Sequence, residues 1–101
     1  MGKRLDLHDI LKALLGSENV YFQPPEAHKM SYPCIKYTRS SINTVFADNA
    51  PYANTIRYTI TVIDKNPDSI IPGKVGRLPL CRFDRHYTSE NLNHDVYNLY
   101  Y

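Results

Sequence analysis

The stretch TIRYTITVID, residues 55–64, is the clearest β-strand in the chain and decides the expected fold class. Large apolar side chains alternate there with polar ones, and a period of two is typical of a strand with one buried and one solvated face. The apolar set is Ile56, Tyr58, Ile60 and Val62. The stretch therefore predicts a sheet whose apolar face is covered by another layer.

A helix at residues 5–15 is the expected cover for this sheet. Its apolar residues, which recur at helical spacing, are Leu7, Ile10, Leu11 and Leu14. Asp6 is predicted as the N-cap, Leu5 is predicted to pack against Ile10 across the first turn, and Gly16 is predicted to end the helix. The single apolar face needs a sheet to lie on.

Four further strands and a second helix complete the predicted order. The strands are residues 19–23, 32–39, 81–88 and 94–101, with a polar loop at 89–91 between the last two. The second helix follows a turn at 66–69 and carries Ile71, Val75 and Leu78 on one face, but Gly73 and Gly76 weaken it. We expect a single α+β domain over residues 1–101, in the order α-β-β-β-α-β-β. The sheet is mostly antiparallel, with both helices packed on one face.

Composition limits the function classes. Hydrophobic residues make up 43% and charged residues 22% of 101 residues, which is ordinary usage for one folded, soluble domain. The net charge is +2 and the basic residues are scattered, so nucleic acid is not the default partner. We see no signal peptide and no apolar run approaching about 18 residues, so we expect no membrane contact and synthesis in the cytoplasm.

Few residues suggest chemistry. Asp84, His86, His94 and Asp95 are the best candidates for a reactive or metal-binding cluster, because a closing hairpin would bring the two histidines close. The alternative is that they are ordinary polar residues on a strand pair, and this interpretation is favoured. Cys34 and Cys81 are expected to be buried thiols in a reducing compartment. We predict no enzyme activity, no cofactor and no metal.

The basic residues have two interpretations. They could form a phosphate-binding face, or they could be the solvated side of a sheet, which is favoured. The residues concerned are Lys29, Lys36, Arg39, Arg57, Arg82 and Arg85.

Two features favour a role in an assembly. Residues 40–54 are predicted to be a long excursion between two paired strands, and long loops are often functional. The chain also ends in a strand with aromatic residues on both faces, for which packing in the core is the alternative. The candidate interface residues are Ile42, Val45, Phe46, Tyr52, Tyr97, Tyr100 and Tyr101.

Several ordered blocks of the chain resemble a known family. They are VYFQPPE at 20–26, MSYPCIKY at 30–37, YTITVID at 58–64 followed by PDS at 67–69, FDRHY at 83–87, NLNHD at 91–95 and LYY at 99–101. Together they are similar to the tail terminator or tail-completion proteins, which join head to tail, of siphophages that infect Gram-positive bacteria.

The resemblance implies a function without catalytic residues. Proteins of this family form a ring, commonly a hexamer, that caps the tail tube and offers a surface to the head. The implied partners are further copies of the chain, the tail tube protein and a head-completion or connector protein, with DNA passing through the lumen without specific binding. The implied location is the virion, in the tail or neck. A head-closure or connector subunit is the alternative in the same class, and a metal-dependent enzyme using Asp84, His86 and His94 is the alternative from another class.

Overall fold

The computed structural model describes the backbone of residues 4–25, 29–47 and 50–101, and the side chains of these residues except 41–47 and 50–55. The elements in chain order are α1 (Arg4–Leu15), β1 (Val20–Phe22), β2 (Cys34–Ala47), β3 (Ala50–Asp64), α2 (Ile71–Gly76), β4 (Cys81–Ser89) and β5 (Leu92–Tyr100). This order confirms the predicted one, and the α+β class with it.

The strands form one mostly antiparallel sheet in the order β1-β2-β3-β5-β4. The short strand β1 pairs with β2 in parallel, and the other neighbours are antiparallel. Between β4 and β5, Glu90 and Asn91 both have positive φ, 52° and 63°. Two such residues form the tight turn whose twist suits a hairpin, so the predicted closing hairpin is confirmed.

Both helices pack on the same face of the sheet, which we call the helix face. Leu7 and Leu11 of α1 and Ile71 and Val75 of α2 join one buried cluster with the sheet. The sheet contributes Val20, Ile35, Tyr37, Tyr58, Ile60, Val62, Tyr97 and Leu99. The predicted packing of two helices on one face is therefore confirmed, and burial of this apolar area is the main source of stability.

The start of α1 differs from the prediction. The helix begins at Arg4, so Asp6 lies inside its first turn and is not the N-cap. A carboxylate there still interacts favourably with the free backbone amides of the helix start. Leu5 lies within the helix and is 64% exposed, so it does not occupy the position before an N-cap at Asp6 that the predicted contact with Ile10 requires. Gly16 ends the helix as predicted, with φ +79° and its amide donating to the Lys12 carbonyl at 2.8 Å.

The prediction of a long excursion at residues 40–54 is wrong. Strand β2 continues to Ala47 and β3 begins at Ala50, and the register runs through Ile42 opposite Ile56 and Val45 opposite Ala53. Pairing uses only backbone groups, so small polar residues such as serine and asparagine do not prevent it. We call the backbone of 41–47 and 50–56 the arm, because β1 and β5 pair with β2 and β3 only as far as Tyr37 and Arg57.

The second helix is short and is held by the sheet beneath it. The Ser69 hydroxyl accepts a hydrogen bond from the Ile71 amide at 3.3 Å, and the Tyr97 hydroxyl donates to the Pro72 carbonyl at 2.8 Å. A Cβ at Gly76 would lie 3.4 Å from the Tyr97 ring, so the helix approaches the sheet closely. Leu78 follows the helix and packs at the edge of the core.

Candidate assembly surfaces and the open face of the sheet

The face of the sheet opposite the helices, which we call the open face, carries most of the basic candidates. Strand pairing places Lys36 beside Thr61, Thr61 beside Val96, and Val96 beside Arg85 in one row across four strands. The next row is Thr38, Thr59, Asn98 and Arg82, and Arg57 lies opposite Tyr100 beyond it. Of the six basic candidates, Lys36, Arg57, Arg82 and Arg85 thus share this face. Arg39 is opposite Tyr58, in register with the helix face, and Lys29 precedes β2.

A shallow groove of about 240 Å³ lies on the open face. Lys36 and Arg85 border it from opposite sides, and Thr38, Thr59 and the largely buried Thr61 line it between them. Threonine hydroxyls, lysine and arginine all donate hydrogen bonds, so the groove is suited to an anionic group.

A bulge in β4 explains why two arginines three residues apart share a face. The register shifts between Phe83 and Arg85, so Asp84 is the extra residue. The bulge changes the alternation, and Arg85 therefore projects to the same side as Arg82. Strict alternation along the sequence would have placed them on opposite faces.

One end of the open face is covered by a small apolar cluster. Cys34, Ile63 and Leu92 are buried there, with Tyr21 and Met30 packed against them. Burial raises the pKa of the Cys34 thiol to about 11. Cys81 is partly buried beside the helix-face core, and burial raises its pKa as well. Both cysteines are free, and they lie on opposite faces.

The four residues of the predicted reactive cluster do not form one site, although two of them are paired. His86 is opposite Asp95, with His86 Nδ1 2.8 Å from Asp95 Oδ1, and this pair lies on the helix face. His94 lies opposite Tyr87 on the open face, where the two rings stack with centroids 4.5 Å apart. Within the described residues, no group of three or more histidine, cysteine, aspartate or glutamate side chains is placed to hold a metal.

The two edges of the sheet differ in length and protection. Strand β1 has three residues and is followed by Pro24 and Pro25, which cannot donate to a neighbouring strand. Strand β4 has nine residues, of which all but Cys81 are exposed, and its outer side pairs with no strand of the described chain. Phe83 is 52% exposed on this edge, and its ring centroid lies 5.5 Å from that of Tyr97. A long unpaired edge is a template for another chain, although the bulge at Asp84 interrupts it.

The seven candidate interface residues separate into three groups. Ile42, Val45, Phe46 and Tyr52 lie in the arm, and their side chains lie outside the described residues. Tyr97 is 6% exposed and belongs to the core, so it offers no contact surface. Tyr100 and Tyr101 are partly exposed. The core alternative therefore applies to Tyr97, while the two terminal tyrosines remain candidates.

A buried hydroxyl on the helix face was missed in the sequence. Tyr37 is fully buried, and its hydroxyl oxygen lies 2.7 Å from His8 Nδ1 and accepts from Arg4 Nη1 at 3.4 Å. Burial raises the pKa of Tyr37. The Arg4 guanidinium also lies over the Phe22 ring, 4.4 Å from its centroid. Because His8 follows Arg4 by one helical turn, their spacing was the signal that could have paired them with a strand tyrosine.

Comparison with protein-family models, with curated proteins and with solved structures found no match. None of the helices in the described part of the chain is long and apolar enough to cross a membrane.

Proposed function

We propose that the chain is a structural subunit of a siphophage virion, whose copies form a ring, of six in the family it resembles, on the end of the tail tube. Such a ring ends polymerisation by covering the surface to which the next tube subunit would add. Its opposite side receives the head through a connector protein. Three kinds of contact are needed: copy to copy, ring to tube and ring to connector.

The arm is the observation that carries this proposal. Apart from one hydrogen bond at its base, from the Tyr101 amide to the Ile56 carbonyl, its strands pair only with each other in the described backbone, and the molecule measures 51 × 25 × 23 Å. Seven residues at about 3.3 Å each let the arm reach roughly 23 Å beyond the rest of the sheet. A two-stranded hairpin is marginally stable alone in water, so packing on a neighbouring molecule would stabilise it.

Two further surfaces supply the remaining contacts in this proposal. The exposed edge of β4 and the half-exposed Phe83 offer backbone and aromatic contacts, and aromatic residues are enriched in interfaces. Tyr100 and Tyr101 lie where β5 ends beside the base of the arm, with the Tyr101 amide donating to the Ile56 carbonyl at 3.0 Å. These tyrosines are therefore placed to contact whatever packs against the arm.

Shortening the arm tests the copy-to-copy contact. Residues 43–55 are replaced by Asn-Gly, a two-residue turn that closes the Ile42–Ile56 pair without disturbing the sheet. We expect the purified chain to form rings by native mass spectrometry and the shortened chain to remain a folded monomer. A matched control keeps the arm length and composition but shuffles residues 43–47 and 51–55. Rings formed by the shortened chain would contradict a role of the arm in assembly.

Electron microscopy of particles from the parent phage, with the gene for this chain deleted, tests the role in the virion. Overlong or irregular free tails are expected, because tube growth would have no stop. Normal-length tails beside filled, unattached heads would assign the chain to the connector instead. Intact virions would contradict both structural roles.

A further inference from the structure

Among the described residues that strand pairing assigns to the open face, the charged side chains are all basic, while Asp84 at the bulge of β4 has no paired position. Register and alternation place Lys36, Arg57, Arg82 and Arg85 on it, while Asp64 and Asp95 project to the helix face. The ion pairs found among the described residues are Lys12–Glu18 and His86–Asp95, and neither involves these four cations. Four basic side chains on one face, without an ion pair to a carboxylate of the described residues, leave their positive potential available to an anion.

We propose that the open face binds the phosphate backbone of double-stranded DNA without reading its sequence. The proposed ring only requires that DNA pass through its lumen, whereas direct binding is an additional property. This binding can be tested on the isolated chain, without assembly of the ring. Lysine and arginine neutralise phosphates, and the hydroxyl of the exposed Thr38 can donate to a phosphate oxygen, which fixes position without conveying sequence.

The spacing of the cations suits a duplex. Lys36 on β2 and Arg85 on β4 stand three strand spacings apart, which is about 14 Å at their Cα atoms. The major groove of B-DNA is about 12 Å wide. In this proposal Lys36 and Arg85, one on each side of the threonines, contact the phosphates of the two strands that border the groove.

The register places two tyrosines, Tyr87 and Tyr100, on the uncovered part of this face, and Tyr87 is partly engaged by this chain's own side chains. Proteins that bind single strands stack bases on exposed aromatic rings. Tyr87 already stacks on His94 at 4.5 Å with the rings 11° from parallel, and the Arg85 guanidinium lies 5.9 Å from its centroid. His94 therefore takes one face of the Tyr87 ring, while the residue is still 40% exposed, so a single strand of the same length is the competitor that the test includes.

The test is fluorescence anisotropy of a labelled duplex of about 20 base pairs, titrated with the full chain between about 50 and 200 mM NaCl. We expect the logarithm of the binding constant to fall with the logarithm of salt, with a slope near −0.9 for each phosphate neutralised and at most about −3.6 for four. The variant Lys36→Gln with Arg85→Gln should lose about 1.8 of that slope and bind at least about tenfold more weakly.

The matched control removes the same two charges from the other side. Lys74→Gln with Arg77→Gln changes exposed residues of α2 and the residue after it, and should leave the slope within about 0.5 of the original. Circular dichroism confirms that both variants are folded. Equal losses in the two variants, no binding at the lowest salt, or tighter binding of a single strand of the same length would each overturn the proposal.

Discussion

The two faces of the sheet are built from the same strands and differ in everything else. On the helix face, Ile60 and Val62 are fully buried beneath α1 and α2. On the open face their neighbours Thr59 and Thr61 lie between basic side chains in a shallow groove. Because successive residues of a strand point to opposite sides, one sequence pattern specifies a core and a polar binding surface at once. Residues that stabilise the fold and residues of the proposed binding surface are therefore next to each other in the sequence.

The sharpest test of that separation compares Ile60→Ala with Thr59→Ala. Ile60 is buried with no exposed surface, so the variant leaves a cavity and should lose about 2–5 kcal/mol of unfolding free energy. Thr59 makes one weak hydrogen bond to Asn98 at 3.4 Å, so Thr59→Ala should cost less than about 1 kcal/mol. Urea unfolding measures both. Similar losses in the two variants would mean that the open face is packed like the core.

A second test asks whether the open face is open along its whole length. With a pKa of about 11 against an ordinary 9.0, Cys34 should carry about 100-fold less thiolate than a free cysteine near neutral pH. In a Cys81→Ala chain, we expect a thiol reagent to modify Cys34 at least about 100-fold more slowly than in the urea-unfolded chain. The rate is followed by absorbance.

The control for this test is Cys34→Ala, which leaves the partly buried Cys81. Burial raises the pKa of Cys81 too, so it should react more slowly than an unfolded thiol but faster than Cys34. Reaction of Cys34 at the rate of the unfolded chain would show that the apolar cluster of Tyr21, Met30, Ile63 and Leu92 does not close that end of the face.

The sequence predicted the faces better than the extent of the strands. The alternation over 55–64 identified the core positions of β3 correctly, because the strand period leaves no freedom once one face is apolar. The arm was missed, because the small polar residues of 40–54 are typical of loops, whereas antiparallel pairing needs only their backbone. Asp48 and Asn49 are turn-forming residues, and they were the available signal for a hairpin.

The candidate site was harder to predict than the fold. The bulge at Asp84 changes the alternation in β4, and no residue type in this segment indicates a bulge. The sequence pattern therefore predicts neither the shared face of Arg82 and Arg85 nor the separation of His86 from His94. The N-terminus of α1 was misplaced for a related reason. Packing of Leu7 and Leu11 on the sheet extends the helix past the residue that local capping favours.

The smallest expected effect concerns a titrating group at the margin of the helix face. Burial, followed by the nearby positive charges of Lys12 and Arg4, lowers the pKa of His8 below its usual 6.5. In the neutral tautomer with its proton on Nε2, His8 Nδ1 accepts a hydrogen bond from the Tyr37 hydroxyl, and the hydroxyl oxygen accepts one from Arg4. A protonated His8 has no lone pair at Nδ1 and adds a cation beside two others.

The sign of the pH dependence follows from this lowered pKa. The unfolded chain binds a proton at His8 before the folded chain does, so this contribution to stability is complete above about pH 6.5 and is lost as the pH falls through the folded pKa. We expect the urea midpoint to drop between about pH 7.5 and 5.5 by less in His8→Gln than in the unchanged chain. His86→Gln is the matched control, because it removes an imidazole on the same face of the sheet that contacts Asp95 and not Tyr37. A drop that is equal in the unchanged chain and in His8→Gln would mean that the Tyr37 hydroxyl is satisfied equally well with either form of the imidazole.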